Sequence, residues 1–171
     1  GNLIIRFNAS LPSLSGLDGL TSVSGVLSIV DNAALTSLSG LDGLTSVGGN
    51  LIIFDNAALT SLSGLNGLTS VGGLFIRFNA SLTSLSGLDG LTSVGKNLFI
   101  DSNASLTSCN QLFQLLDDIN DVDPDYGPPV PDVGGIITIE NNAPPGNCND
   151  IATILAQGPP PPPAPIQIGR A

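Results

Sequence analysis

Two cysteines are the residues of this chain best suited to forming a covalent cross-link. Cys109 and Cys148 each follow an asparagine, Asn103 and Asn142, by six residues. The same offset from four earlier asparagines holds a leucine: Leu14, Leu38, Leu62 and Leu85. If the segments stack in register, neighbouring strands lie about 4.8 Å apart, and a disulfide needs Cα atoms roughly 4.4–6.8 Å apart. We therefore expect a disulfide, with two buried thiols as the alternative.

The disulfide also bears on where the protein works. Disulfides persist in oxidising compartments, so the pair predicts an extracellular protein, secreted or held at the cell surface. The sequence starts at Gly1 without an initiator methionine or a signal-peptide pattern. We interpret it as a mature or trimmed product.

A group of carboxylates is the second candidate for chemistry, and that chemistry would be cation binding. Asp121, Asp123 and Asp125 alternate before Gly127. Oxygen ligands at alternating positions before a glycine turn are typical of a calcium-binding loop. Here the glycine comes one residue late, Pro124 intervenes, and no glutamate closes the loop. We favour a solvated acidic loop over a Ca²⁺ site, and we expect no other cofactor.

Composition argues against catalysis and against several kinds of partner. The chain has no histidine, which removes the commonest general acid–base group and metal ligand. We therefore expect a non-enzymatic protein. A formal net charge of −10 with only four basic residues disfavours nucleic acids and anionic membrane surfaces as partners. No apolar run approaches the roughly 20 residues needed to cross a bilayer, so we expect no membrane insertion.

An internal repeat must supply the elements that position these residues. Six copies of one pattern align on an asparagine. The anchor asparagines are Asn8, Asn32, Asn56, Asn79, Asn103 and Asn142, which are 24, 24, 23, 24 and 39 residues apart. A fixed period in this range indicates stacked units that cannot bury an apolar face alone. We expect the six side-chain amides to form a structural ladder that satisfies turn backbone groups inside the stack.

Apolar residues recur at fixed offsets within each copy. Residues five and three before the anchor alternate, as Leu27 and Ile29 do, which predicts a strand with one buried face. Further apolar residues follow at every third position, separated by Ser, Gly and Thr. The pattern resembles the leucine-rich repeat, L-x-L-x-x-N-x-x-L, and more closely the coil of receptor L-domain-like repeats. The resemblance covers residues 1–109 well and 133–155 loosely, and it implies an all-β, right-handed β-solenoid of about six coils.

The spacing also predicts how the chain is organised, because the fifth interval leaves room for an insertion before the last coil. A short helix capped by Asn110 is expected to open that insertion. In chain order the predicted segments are five solenoid coils (1–109), a helical, acidic and proline-rich insertion (110–132), the final coil (133–157) and a polyproline tail with a strand-like end (158–171).

Residues that the core does not need are the candidates for function. Side chains four and two positions before each anchor point away from the core, and five of the six phenylalanines lie there or directly before the anchor. A contiguous outward apolar patch normally marks an interface, and arginine among aromatics strengthens that interpretation. An intramolecular cover is the alternative. The expected interface residues in the coils are Ile4, Arg6, Phe7, Ile52, Phe54, Phe75, Arg77, Phe78 and Phe99.

Together these features predict an extracellular structural protein whose partners are copies of itself, arranged end to end in a filament. The first coil has no polar or helical cap, and an uncapped strand edge is a template for another chain. The tail carries Ile166 and Ile168 after its prolines, and we expect it to contribute to the interface. It could lie on the phenylalanines or add a strand, within one copy or between copies, or serve only as a linker.

The same residues allow two other functions. The phenylalanines and arginines could bind a protein or a glycan, which would make the chain an adhesion module. Regular threonine columns resemble those of ice-binding proteins, although each threonine also has a structural place between core leucines, which we favour. The two columns are Thr36, Thr60, Thr83 and Thr107, and Thr21, Thr45, Thr69 and Thr92.

Overall fold

The structure is a computed structural model that describes residues 1–117, 133–143 and 148–156. Its eight strands form one parallel sheet, and helix is confined, within those residues, to three short segments near the C-terminal end. The strands are β1 (Leu3–Arg6), β2 (Ser22–Val23), β3 (Leu27–Val30), β4 (Ser46–Phe54), β5 (Ser70–Arg77), β6 (Ser93–Val94), β7 (Leu98–Asp101) and β8 (Ile137–Glu140). The helical segments are a 3₁₀ helix (Asn110–Leu112), α1 (Phe113–Asp117) and α2 (Ile151–Leu155). The predicted all-β solenoid is confirmed.

Successive copies of the repeat pair strand against strand. The order across the sheet is β1, β3, β4, β5, β7 and β8, and the alignment of Leu27 with Leu51 and of Leu51 with Leu74 shows that one repeat is one rung. Between β1 and β7 the chain makes four regular turns. The expectation of about six coils is corrected accordingly, because the fifth interval carries an insertion before β8.

The apolar columns predicted from the sequence fill the inside of the solenoid. In the second coil they are almost completely buried: Leu35, Leu38, Leu41, Leu44 and Val47. The corresponding residues of the first coil, such as Leu11 and Leu17, are only partly buried, because they pack against a neighbouring coil on one side only. Since burying one leucine contributes about 1.5–3 kcal/mol, the interior coils carry most of the hydrophobic stabilisation.

The anchor asparagines form a hydrogen-bonded ladder along the stack. Each of the first five donates its backbone N–H and its Nδ2 to Oδ1 of the next anchor, at 3.1 and 3.3 Å between Asn56 and Asn79. Nδ2 also reaches the preceding coil, as in the 3.0 Å bond from Asn79 to the Ile53 carbonyl. Asn8 is exposed, whereas the other five anchors are at most 5% exposed. The amides thus satisfy backbone groups that lie inside the fold.

A disulfide joins Cys109 to Cys148, whose Cα atoms lie 5.4 Å apart. Both residues are completely buried in the column that leucine fills in earlier coils. The predicted pairing is confirmed, and it ties the last coil to the regular turns across a separation of 39 residues.

The last two copies replace turns by helix while keeping the apolar spacing. Leu112 and Leu115 are completely buried in the 3₁₀ helix and α1, and Ile154 of α2 is 1% exposed. A spacing of three residues suits one face of a helix as well as the turns of a coil, so the columns continue. The expected cap at Asn110 is wrong: Cys109 occupies the N-cap position and makes no side-chain capping bond.

Asn149 ends the asparagine ladder within the chain. Its Oδ1 accepts from the Asn142 N–H at 2.8 Å, in the place that a following anchor would take. Asp150 then caps α2 by accepting from the Thr153 N–H at 2.6 Å, and this hydrogen bond lowers the pKa of Asp150. The ladder atoms of Asn142, the last anchor, are therefore already hydrogen-bonded.

Candidate functional site: the outer face of the sheet

Two columns of side chains form what we call the outer face. Strand register places one residue from each rung in each column. The first column is Ile4, Ser28, Ile52, Phe75, Phe99 and Thr138, and the second is Arg6, Val30, Phe54, Arg77, Asp101 and Glu140. The four strands of the second to fifth rungs bury their alternate residues, for example Leu74 and Ile76, so these two columns face outward.

The residue directly before each anchor adopts the left-handed backbone conformation. The six residues of this left-handed column have φ between 53° and 59°: Phe7, Asp31, Asp55, Phe78, Ser102 and Asn141. Aspartate and asparagine tolerate this conformation, whereas a bulky side chain is strained there. Phe7 and Phe78 nevertheless occupy it, with 67% and 44% of their surface exposed. Exposed aromatic rings at strained positions indicate a role outside the core.

The left-handed backbone of this column leads to a stability prediction at Asp55. Replacing Asp55 by valine is expected to lower the free energy of unfolding by about 1–2 kcal/mol, because a β-branched residue is disfavoured at positive φ. Asp55→Asn is the matched control and should change it by less than about 0.5 kcal/mol. Urea denaturation measures both, and equal losses in the two variants would contradict the assignment of strain to the backbone.

Aromatic rings on neighbouring rungs contact each other. Phe75 and Phe99 stack with their centroids 5.3 Å apart and an interplanar angle of 18°. Phe54 packs against Phe78 at the same centroid distance with a tilt of 58°. Such pairs contribute about 0.5–1.5 kcal/mol beyond the area they bury. The third to fifth rungs thus carry two aromatic pairs, which together we call the aromatic cluster.

An ion pair borders the aromatic cluster. Arg77 donates to both carboxylate oxygens of Asp101, through Nε to Oδ1 and through Nη2 to Oδ2, the latter at 3.1 Å. The hydrogen bond to Asp101 raises the pKa of Arg77. Asp101 is 6% exposed, and Ser102 donates a further hydrogen bond to its Oδ2. The pair holds the guanidinium 5.6 Å from the Phe78 ring centroid, within cation–π range.

The two ends of the outer face carry opposite charges. Arg6 lies on the first rung, 5.7 Å from the Phe7 ring centroid, and Glu140 lies on the last rung of the same column. Both are exposed, and neither has an ion-pair partner among residues 1–117, 133–143 and 148–156. The outer face therefore has a cation at its first rung, aromatic rings in the middle and an anion at its last rung.

The structure brings together most of the interface residues predicted from the sequence and separates the rest. Ile52, Phe54, Phe75, Arg77, Phe78 and Phe99 occupy three adjacent rungs. Ile4, Arg6 and Phe7 lie apart from them, because Ser28, Val30 and Asp31 occupy the intervening rung. Ile166 and Ile168 of the tail, and the calcium candidates Asp121, Asp123 and Asp125, lie outside the described residues.

Sequence reasoning did not single out two residues that shape the site. Asp101 pairs with Arg77, and the spacing of one repeat between them was the signal that they occupy adjacent rungs of one column. Asn149 ends the ladder, but its sequence position gave no signal, because it follows the cysteine rather than the anchor motif.

Side chains of the threonine columns form hydrogen bonds between neighbouring coils. The hydroxyls of Thr45, Thr69 and Thr92 each donate to a threonine carbonyl of the preceding coil at 3.0–3.2 Å, and Thr60 donates likewise to Thr36 at 3.2 Å. These bonds agree with the structural interpretation that we favoured for the columns.

The chain has no significant match to a protein-family model, a curated protein or a solved structure. The finer resemblance to leucine-rich and L-domain-like repeats therefore rests on its motif alone. Among the described residues, no helix has the length and apolarity needed to cross a membrane. The same residues contain no group of three His, Cys, Asp or Glu that could hold a metal ion.

Proposed function

We propose that this chain is an extracellular structural repeat protein that associates with copies of itself through the outer face. One observation carries the proposal: the aromatic cluster lies in the middle of the stack, with Arg6 at one end and Glu140 at the other, neither of them in an ion pair with a described residue. Aromatic residues and arginine are enriched at the centres of protein interfaces. The disulfide Cys109–Cys148 supports the extracellular setting.

Charge complementarity selects one arrangement of two copies. In this arrangement the outer faces of two copies pack together around a twofold axis that runs parallel to the strands, between the third and fourth rungs. The first rung of one copy then faces the sixth rung of the other, the second faces the fifth, and the third faces the fourth. Arg6 then faces Glu140 of the second copy, and Asp55 comes near its Arg77. A twofold axis parallel to the stack would instead pair each rung with the same rung of the second copy, so that Arg6 would face Arg6. A self-complementary patch of this kind gives a closed dimer.

The lateral arrangement is preferred over the end-to-end filament expected from the sequence. A second copy stacked on the last coil would need its asparagine ladder to continue from Asn142. Asn149 already accepts the Asn142 N–H, and the Asn142 Nδ2 donates to the Cys148 carbonyl at 2.6 Å. Continuing the ladder would break those bonds, whereas pairing through the outer face breaks none.

The size of the outer face indicates weak association. Six rungs are separated by five spacings of about 4.8 Å, and the outward residues cover about four residues of each strand at about 3.3 Å per residue. The outer face therefore measures roughly 24 by 13 Å, or about 300 Å² per copy. Specific stable complexes bury about 800 Å² per partner. We therefore propose a weak dimer that forms at high local protein concentration.

Sedimentation equilibrium tests the proposal. The wild-type chain is expected to shift from monomer to dimer as its concentration rises from the micromolar to the millimolar range. The double variant Phe54→Ser/Phe75→Ser should remain monomeric, because it removes the centre of the interface. Thr60→Ala is the control: it loses one exposed hydroxyl outside the outer face and should dimerise like the wild type. A wild type that stays monomeric at every concentration would contradict self-association.

A binding module is the second candidate, favoured by one repeated feature. Arg6 with Phe7 and Arg77 with Phe78 form the same cation–π pair, at 5.7 and 5.6 Å, three coils apart. Two similar cation–π pairs at a fixed spacing suit a repetitive protein or glycan ligand. A monomeric wild type that binds an immobilised glycan array, and loses that binding in Phe78→Ser, would favour this function instead.

A further inference from the structure

One coil differs from its neighbours at a surface turn. The turn directly after the leucine nine residues past the anchor reads Asp-Gly in three coils, as Asp18–Gly19, Asp42–Gly43 and Asp89–Gly90. In the third coil the same turn reads Asn66–Gly67, which is the only Asn-Gly pair in the whole sequence. The difference replaces a carboxylate by an amide in an otherwise repeated position.

The aspartates of the other three coils each accept one hydrogen bond from the turn. Oδ2 of Asp18, Asp42 and Asp89 accepts from the N–H of the glycine two residues earlier, at 2.9 Å in each case. In the third coil the equivalent donor is the N–H of Gly64. It has no acceptor in the described part of the chain, although Gly64 is buried. The hydrogen bond that the aspartates make in the other three coils is therefore absent at Asn66.

The geometry leaves the Asn-Gly pair free to react. Asn66 is exposed, and the turn is closed by a 2.9 Å bond from the Leu68 N–H to the Leu65 carbonyl, which does not involve the Gly67 N–H. No described residue accepts from that N–H. Glycine has no Cβ to hinder the approach of its nitrogen to the neighbouring side chain. Both reacting groups are therefore accessible in the folded state.

We infer that Asn66 is a site of spontaneous deamidation. The backbone nitrogen of Gly67 attacks Cγ of Asn66 and forms a C–N bond, while the Cγ–Nδ2 bond breaks. Nδ2 leaves as ammonia and carries away the proton lost by the Gly67 nitrogen. The resulting succinimide is then hydrolysed by water. Opening at the side-chain carbonyl gives aspartate, and opening at the backbone carbonyl gives isoaspartate.

The aspartate product completes the pattern of the other coils. Its carboxylate is placed to accept from the Gly64 N–H, as Asp42 and Asp89 accept from their glycines in the neighbouring coils. Isoaspartate instead adds an atom to the main chain between Leu65 and Leu68, both of which are completely buried. The folded stack therefore favours aspartate, and the modification adds one negative charge to the surface of the third coil.

Incubating the folded, full-length chain at mildly alkaline pH tests the inference. We expect an acidic form to accumulate on ion-exchange chromatography, with the mass change of amide to acid localised to Asn66. Digestion with an endoproteinase that cleaves before aspartate should reveal a new cut at position 66, which isoaspartate would not give. The same chain in urea should give a larger share of isoaspartate.

Two variants sharpen the test. Gly67→Ala should slow the reaction several-fold, and the added Cβ meets no atom closer than 3.4 Å, so the fold is retained. Asn66→Asp should protect the Gly64 amide from hydrogen exchange relative to the wild type. The inference is overturned if the folded wild type stays unmodified while the chain in urea deamidates, or if Gly67→Ala reacts at the wild-type rate. Absence of added protection at Gly64 would overturn the assigned hydrogen bond.

Discussion

Replacing Asn79 by leucine is expected to lower the free energy of unfolding by about 3–5 kcal/mol. Asn79 is completely buried, and its Nδ2 donates to the Ile53 and Arg77 carbonyls and to Oδ1 of Asn103, at 3.0, 3.1 and 3.2 Å. Its Oδ1 accepts from both nitrogens of Asn56. Leucine has a similar volume but leaves these partners unpaired inside the fold, and each buried unpaired group costs about 1–3 kcal/mol.

The matched control for Asn79 is the first anchor. Asn8 is exposed, and its Nδ2 donates only to the Arg6 carbonyl and to Oδ1 of Asn32. Asn8→Leu should therefore lower the free energy of unfolding by less than about 1.5 kcal/mol, since water replaces the lost partners. Urea denaturation followed by circular dichroism measures both variants. Equal losses at the two positions would show that the amide ladder does not stabilise the stack through buried hydrogen bonds.

Breaking the disulfide is expected to lower the free energy of unfolding by about 3–4 kcal/mol, the loop-entropy contribution for a cross-link between residues this far apart in sequence. Cys109 and Cys148 are separated by 39 residues and join the last coil to the regular turns. Besides lowering the overall free energy of unfolding, breaking the bond should destabilise the last coil more than the rest of the stack. Amides of β8 and α2 should lose protection from hydrogen exchange first, whereas β3, β4 and β5 keep theirs.

Two independent ways of removing the bond provide the control. Reduction of the wild type and the double variant Cys109→Ala/Cys148→Ala should give the same order of protection loss, with the variant somewhat less stable because it also leaves a small cavity. Uniform loss of protection across all strands would contradict the view that the disulfide serves the last coil. The result bears on the outer face too, because β8 carries Glu140.

The parts of the fold that depend on the spacing of the repeat could be predicted from the sequence. A leucine column has to stay buried from rung to rung, so the spacing of the anchors determined which residues meet. That is why Cys109 and Cys148 were expected together, and why Phe75 and Phe99, one repeat apart, share a column. The number of regular coils was overestimated, because the fifth interval keeps the core columns but changes the elements that carry them.

Features that depend on local backbone geometry or side-chain reach were not predicted. The left-handed conformation before each anchor follows from the turn out of the strand, and only Asp31, Asp55 and Asn141 indicate it by residue type. Apolar spacing of three residues fits a turn or a helix equally, so α2 was not distinguished from a coil. The ion pair of Arg77 depends on how far two side chains reach across a rung.

Charge reversal at the two ends of the outer face tests self-association most directly. Sedimentation equilibrium should show that Arg6→Glu and Glu140→Arg each abolish the dimer of the wild type, since like charges then face each other. The double variant Arg6→Glu/Glu140→Arg should dimerise again, because both contacts of the twofold arrangement regain opposite charges. Both residues are exposed, so the fold should be retained. Single variants that dimerise like the wild type, or a double variant that stays monomeric, would contradict this arrangement.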